Sequence, residues 1–138
     1  MGLVAASIVL LTYNQELFVQ DALQSLLDQN HDMLEIVVSD DCSSDSTWEI
    51  VCKISQNYIG PKTIVLNRNP TNLGIVGNYF KAFGLSKGQL IFTAAGDDAS
   101  LSSRCSDCIK VWQQSGQRVD LIAADAFDMH LNGDVIGQ

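Results

Sequence analysis

Basic charge is scarce in this chain. Eight Lys and Arg face sixteen Asp and Glu over 138 residues, giving a formal charge of −8. Nucleic-acid-binding surfaces are basic, so nucleic acid is excluded as a partner. A carboxylate-rich protein can still bind anions, through backbone amides or a divalent cation. Long apolar runs are also absent. None reaches the length of a membrane span, so no transmembrane segment is expected. The opening "MGLVAASIVLLTYN" is apolar but carries no basic stretch, and reads as a strand rather than a secretory leader. A myristoylation signal wants Ser or Thr where Ala6 stands. Without a leader, Cys42, Cys52, Cys105 and Cys108 read as reduced thiols of a cytoplasmic protein. Repeats, low-complexity segments and linkers are missing too, which leaves one domain with room for a real core.

What is present alternates. Apolar runs of strand length occur at 6–12, 35–40, 62–67, 89–95 and 119–125. Between them lie stretches with apolar residues at helical spacing, at 16–29, 43–58, 75–86 and 102–116. Strands alternating with amphipathic helices predict an α/β fold with a mostly parallel sheet. The near-continuous apolar strands predict helices on both sheet faces, a three-layer α/β/α sandwich. The tail holds "NGD", a hairpin-type turn.

In open α/β sheets, ligands bind beyond the carboxyl ends of the strands. Those ends read "TYN" (12–14), "SDDCS" (39–43) and "GDD" (96–98). Four carboxylates and the aromatic Tyr13 are therefore expected on one edge. Like charges gathered there call for a cation or hydrogen-bond donors. Magnesium or manganese, held by one or two carboxylates and completed by substrate phosphates, is the natural partner.

Other polar residues have plainer readings. "CSDC" lies within a helix and has no second ligand pair, so it is structural. His31 and His130 read as surface or loop residues. Asp40 reads as structural, satisfied by nearby amides, and Asp45 as a cap of the second helix. Trp48 and Trp112 read as core. Glu16 reads as a cap of the first helix.

The stretches "SIVLLTYNQELFVQDALQSLLDQ", "EIVVSDDCSSDST" and "NLGIVGNYFKAFGLSKGQLIFTAAGDD" resemble family 2 glycosyltransferases, of the GT-A (Rossmann-like) fold. The resemblance covers residues 6 to about 125. It implies transfer of a sugar, with inversion, from a UDP- or dTDP-sugar to an acceptor hydroxyl on a glycan or lipid-linked acceptor. It implies that Thr12, Tyr13, Asn14, Asp41, Asn78, Asp97 and Asp98 line the nucleotide-sugar site, with Glu16 reaching the nucleotide in some relatives. Asp41 matches the residue that hydrogen-bonds the base, Tyr13 the aromatic beside it. Asp97 and Asp98 match the pair that meets the ribose and a Mn²⁺ or Mg²⁺ ion on the diphosphate. An Asn at position 78 recurs in the family; as a residue type it also suits a helix cap.

The chain departs from the pattern at Ala95, where the first acidic residue of the DXD motif would stand. The family's general base lies on a later segment. Residues 1–138 are therefore expected to form the nucleotide-sugar-binding part, with the base and acceptor-binding part beyond Gln138. Location at the inner face of a membrane, through segments or partners outside this chain, fits that expectation. The alternative is a module that holds nucleotide(-sugar) without turnover. A receiver-like signalling domain, also α/β with clustered Asp, fits less well. It wants its acidic pair after strand one, and a Lys after strand five, where "LIAADAFD" has none.

Overall fold

The computed structural model describes residues 5–136. Four strands, β1 (Ala6–Thr12), β2 (Leu34–Asp40), β3 (Thr63–Arg68) and β4 (Leu90–Ala95), form one sheet in the order β3-β2-β1-β4. All three pairings are parallel. Parallel neighbours need a crossover, and here each crossover is a helix. The helices are α1 (Val19–Leu27), α2 (Thr47–Asn57), α3 (Gly74–Leu85) and α4 (Arg104–Gln114). The expected α/β architecture is the observed one. The Met-Gly start weighed for a lipid signal lies outside the described residues.

Side chains alternate along each strand and so divide the core in two. Ile8, Leu10, Ile36 and Val38 pack with Leu23 and Leu26 of α1, Val51 of α2, and Ile109 and Trp112 of α4. Val9 and Val37 point the other way, toward Ala82 of α3, with Tyr79 and Leu85 beside them. Three helices thus cover one face and α3 the other. Each fully buried Leu, Ile or Val contributes roughly 1.5–3 kcal/mol, so the two inner strands, β1 and β2, dominate the stability. Trp112 is buried, as expected, while Trp48 packs half-buried against the same core.

One expectation fails here. Residues 119–125 form no strand. Leu121 is 84% exposed, and Ile122 packs against the core with its neighbours open to solvent. An apolar run becomes a strand only where a neighbouring strand can take its backbone hydrogen bonds, and β4 remains an edge strand among the described residues. His31, read as a surface or loop residue, lies in the loop between α1 and β2, where it is buried. The "NGD" turn does form. Met129 and Val135 make an antiparallel bridge, and Gly133 takes a φ of +91° that glycine adopts without strain. Among the described residues, no helix is long and apolar enough to cross a membrane.

Candidate functional site

Register decides which loops meet. Thr12 pairs with Asp40, Asp40 with Arg68, and Leu11 with Ala95. The strands therefore end together, and the loops after β1, β2 and β4 leave from one edge. The chain winds outward from β1 through β2 to β3, then crosses to β4 on the other side of β1. That reversal opens a crevice between β1 and β4, where α/β sheets take their ligands.

Asp40 ties the first two loops together. It has no solvent exposure. Its Oδ1 accepts from Thr12 Oγ1 (2.8 Å) and Ser43 Oγ (2.5 Å), its Oδ2 from Ser43 N (2.9 Å). Arg68 Nε stands 3.8 Å from Oδ2. Asp40 is structural, as expected. Ser43 Oγ in turn accepts from Asn14 N, and Asn14 Oδ1 accepts from Ser44 N. Asn14 has a φ of +48°, a left-handed conformation that Asn tolerates better than most residues.

A second brace lies beside it. Glu16 N donates to Asp45 Oδ2, and Ser46 N donates to Glu16 Oε2. Glu16 therefore braces the entry to α2, not α1, which begins only at Val19. Asp45 Oδ1 accepts from both Thr47 N and Thr47 Oγ1, supporting the first turn of α2 as expected. Partial burial opposes ionisation of Asp45. The donors on Thr47 and Glu16 outweigh it and hold the carboxyl below its ordinary range.

Asp41 begins the loop after β2. Its N donates to Thr12 O (2.9 Å). Its Oδ1 accepts from Asn69 Nδ2 (2.9 Å) and Leu73 N (2.8 Å). Its Oδ2 receives no hydrogen bond from the described residues. Asp41 is buried, at 4% exposure, and among the described residues no fully buried side-chain oxygen or nitrogen lacks a partner, so Oδ2 keeps a narrow contact with solvent. Behind Asp41 lies an amide cluster. Asn69 Nδ2 also donates to Asn78 Oδ1, Asn67 Nδ2 donates to Asn69 Oδ1, and Ser39 Oγ donates to Asn78 Oδ1. Asn78 Nδ2 closes the cluster on Ser39 O.

Two of the expected site residues lie beneath the edge rather than on it. Asn78 is 2% exposed, in the interior of α3, and its amide is spent on Ser39 and Asn69. It is not a helix cap, and through Asn69 it supports Asp41. Thr12 is likewise buried and spent on Asp40. Sequence reasoning missed Ser39, Ser43, Asn67 and Asn69. The available signal was Asn78 itself, the lone amide in a helix whose one charged residue is Lys81, and a buried amide must find partners.

Across β1, Gly96 N donates to Leu11 O (3.0 Å), which seats the turn after β4 against the end of β1. A side chain at Gly96 would run into Gln15 Oε1 and come within 3.2 Å of Thr12 Cγ2. Asp97 and Asp98 follow, both exposed, with no hydrogen bond to either carboxylate from the described residues. Tyr13, 49% exposed, stands between them and Asp41 in strand order. Among the described residues, no three His, Cys, Asp or Glu gather into a metal cage. Two adjacent carboxylates do suit a hard cation whose remaining ligands are phosphate oxygens.

A cavity of about 580 Å³ lies elsewhere, between α1 and α2, lined by Gln24, Ile50, Lys53, Ile54 and Tyr58. It holds no carboxylate, and Lys53 is its one charged lining residue. Chemistry therefore points to the strand ends rather than to this cavity. The "CSDC" segment sits on α4, and burial pushes the Cys105 thiol up to about 12.

The sheet order, crossovers and carboxylate-lined edge define a GT-A α/β domain. The family model for glycosyl transferase family 2 matches residues 7–135, and the chain belongs to that family. It is 33% identical over 90 residues to the abequosyltransferase RfbV of Salmonella typhimurium, covering 64% of this chain and 26% of that protein. It is 29% identical over 103 residues to the E. coli glucosyltransferase WfaP, covering 75% of this chain and 39% of that one. The crystal structure of S. aureus TarS superposes with a TM-score of 0.70 at 26% identity, over 79% of this chain and 32% of that one. A mannosyltransferase from Pyrobaculum calidifontis shares the fold, with a TM-score of 0.75 at 18% identity. The chain spans 26–44% of the length of the curated relatives it matches.

Proposed function

We propose that the strand-end edge binds a nucleotide-diphosphate sugar and that the whole protein transfers the sugar, with inversion, to an acceptor hydroxyl. One observation carries this reading. Asp41, though buried, keeps one oxygen free of hydrogen bonds from the described residues on one side of β1, and Asp97–Asp98 offer two unengaged carboxylates on the other. Asp41 Oδ2 accepts an N–H from the base, and the Tyr13 ring flanks that base. Asp97 and Asp98 meet the ribose and hold a Mg²⁺ or Mn²⁺ ion. When bound, the ion supplies Lewis-acid stabilisation of the leaving diphosphate. Asp40, Ser43 and Asn14 keep the base-side loop in place while this happens.

The relatives support the donor class. TarS has been crystallised with UDP-GlcNAc, and WfaP is named for UDP-Glc and a diphosphoundecaprenol-linked acceptor. A UDP-sugar donor, or the chemically similar dTDP-sugar, and a glycan or lipid-linked acceptor are the corresponding proposal here. The general base and the acceptor-binding part are assigned outside residues 1–138. The edge described here supplies leaving-group stabilisation and base recognition alone. Calorimetric titration with UDP, dTDP, GDP and ADP in Mn²⁺ tests the reading. Asp41→Ala should weaken the preferred nucleotide by about 1–3 kcal/mol, because the base N–H loses its buried partner. Unchanged affinity would remove Asp41 from the site.

A further inference from the structure

Asp41 can read a base only if its carboxylate is held with Oδ2 outward. Leu73 N and Asn69 Nδ2 both donate to Oδ1, which fixes the plane of the carboxylate and leaves the second oxygen free. Leu73 N is backbone at the entry to α3. Asn69 is a side chain, and it has no other task at the surface, being 2% exposed. Its amide sits between two acceptors, Asp41 Oδ1 and Asn78 Oδ1, so its NH₂ must face both. Its Oδ1 then accepts from Asn67 Nδ2, and its backbone N donates to Asp40 O (2.8 Å). Every polar group of Asn69 except its backbone carbonyl is thus committed to the ends of β2 and β3 and the middle of α3.

We infer that Asn69 is a positioning residue for nucleobase recognition, setting the orientation of Asp41 so that Oδ2 meets the base edge. The inference rests on the proposed reading of Asp41. Asn69 touches no ligand itself. It transmits the rigidity of three elements to one carboxylate, so that little orientational freedom is lost on binding.

The test is a double-mutant cycle on UDP affinity in Mn²⁺, with Mn²⁺–pyrophosphate binding measured alongside. Asn69→Asp keeps the size of the side chain and its acceptor for Asn67, but turns a second carboxylate toward Asp41. It should weaken UDP by roughly 5- to 150-fold, comparable to Asp41→Ala, and leave pyrophosphate binding unchanged. The double variant should bind UDP no more weakly than either single one, since both remove the same contact. Multiplying losses, full UDP affinity in Asn69→Asp, or a parallel fall in pyrophosphate binding would each overturn the inference. If Asn69→Asp does not fold, Asn69→Ser serves, read as the UDP-to-ADP affinity ratio. That ratio should collapse toward one, and an unchanged ratio overturns the inference. A weakened Asp41→Ala beside an unweakened Asn69 variant overturns this inference alone. An unweakened Asp41→Ala overturns the reading of Asp41 as well.

Discussion

Asp40→Ala removes a carboxylate that lies wholly out of solvent and gathers three donors. The hydroxyls of Thr12 and Ser43 can turn toward other acceptors. Ser43 N cannot, because its direction is set by the backbone. An orphaned buried donor costs about 1–3 kcal/mol. One full penalty and two partial ones give a loss of about 2–4 kcal/mol. Arg68 adds little, since its side chain is 40% exposed and its Nε is 3.8 Å away. Against a typical domain stability of about 5–15 kcal/mol, that is a large fraction. The assay is urea unfolding. With a slope of about 1.5–2 kcal/mol per molar, the midpoint should fall by roughly 1–2.7 M at unchanged slope. Asp40→Asn, which keeps one acceptor oxygen, should fall between the two. A midpoint shift under about 0.3 M in Asp40→Ala would refute the hub role, because the orphaned Ser43 N alone costs at least about 1 kcal/mol, roughly 0.5 M. Nucleotide affinity should drop with stability, since Ser43 also anchors Asn14.

Three further outcomes are expected. EDTA should weaken UDP binding to the native chain and leave Asp97→Asn/Asp98→Asn unaffected by calorimetry; metal-independent binding by the native chain would contradict the cation role. The lowered pKa of Asp45 means that its stabilisation is present above the unfolded value of 3.8 and is lost as pH falls through the folded one. Asp45→Asn should therefore flatten the stability curve below about pH 4 in thermal melts, and parallel curves for both proteins would count against it. Cys105, buried and with its thiol pushed up to about 12, should resist a thiol-specific reagent until the chain unfolds. Native-state labelling at the unfolded rate would refute that packing.

The strands and helices were legible because burial on both faces leaves a dense signal. "SIVLL" and "EIVVS" have no other stable destination than a covered parallel sheet. The strand ends followed from that alone, and with them Tyr13, Asp41, Asp97 and Asp98 as edge residues. The segment at 119–125 misled because its composition matches a strand while its outcome depends on a pairing partner, which composition does not record. Glu16 misled for a related reason. Its acceptor oxygen serves Ser46, on the far side of α1 and β2 in the chain, and local capping patterns see only the nearest turn. The Asn67–Asn69–Asn78 cluster was hidden because amides after a strand look like turn residues. Only the register that sets β3 beside β2, and the return of α3 beneath them, shows that they bury one another.

Amide chemical-shift mapping on the isotope-labelled chain, titrated with UDP and Mg²⁺, tests the central claim most directly. The account predicts that Tyr13, Asn14, Asp41 and the turn from Gly96 to Asp98 shift together and saturate, while Lys53, Ile54, Asn57 and Tyr58 around the cavity between α1 and α2 stay unmoved. Saturable shifts confined to that cavity, with the strand ends silent, would contradict it.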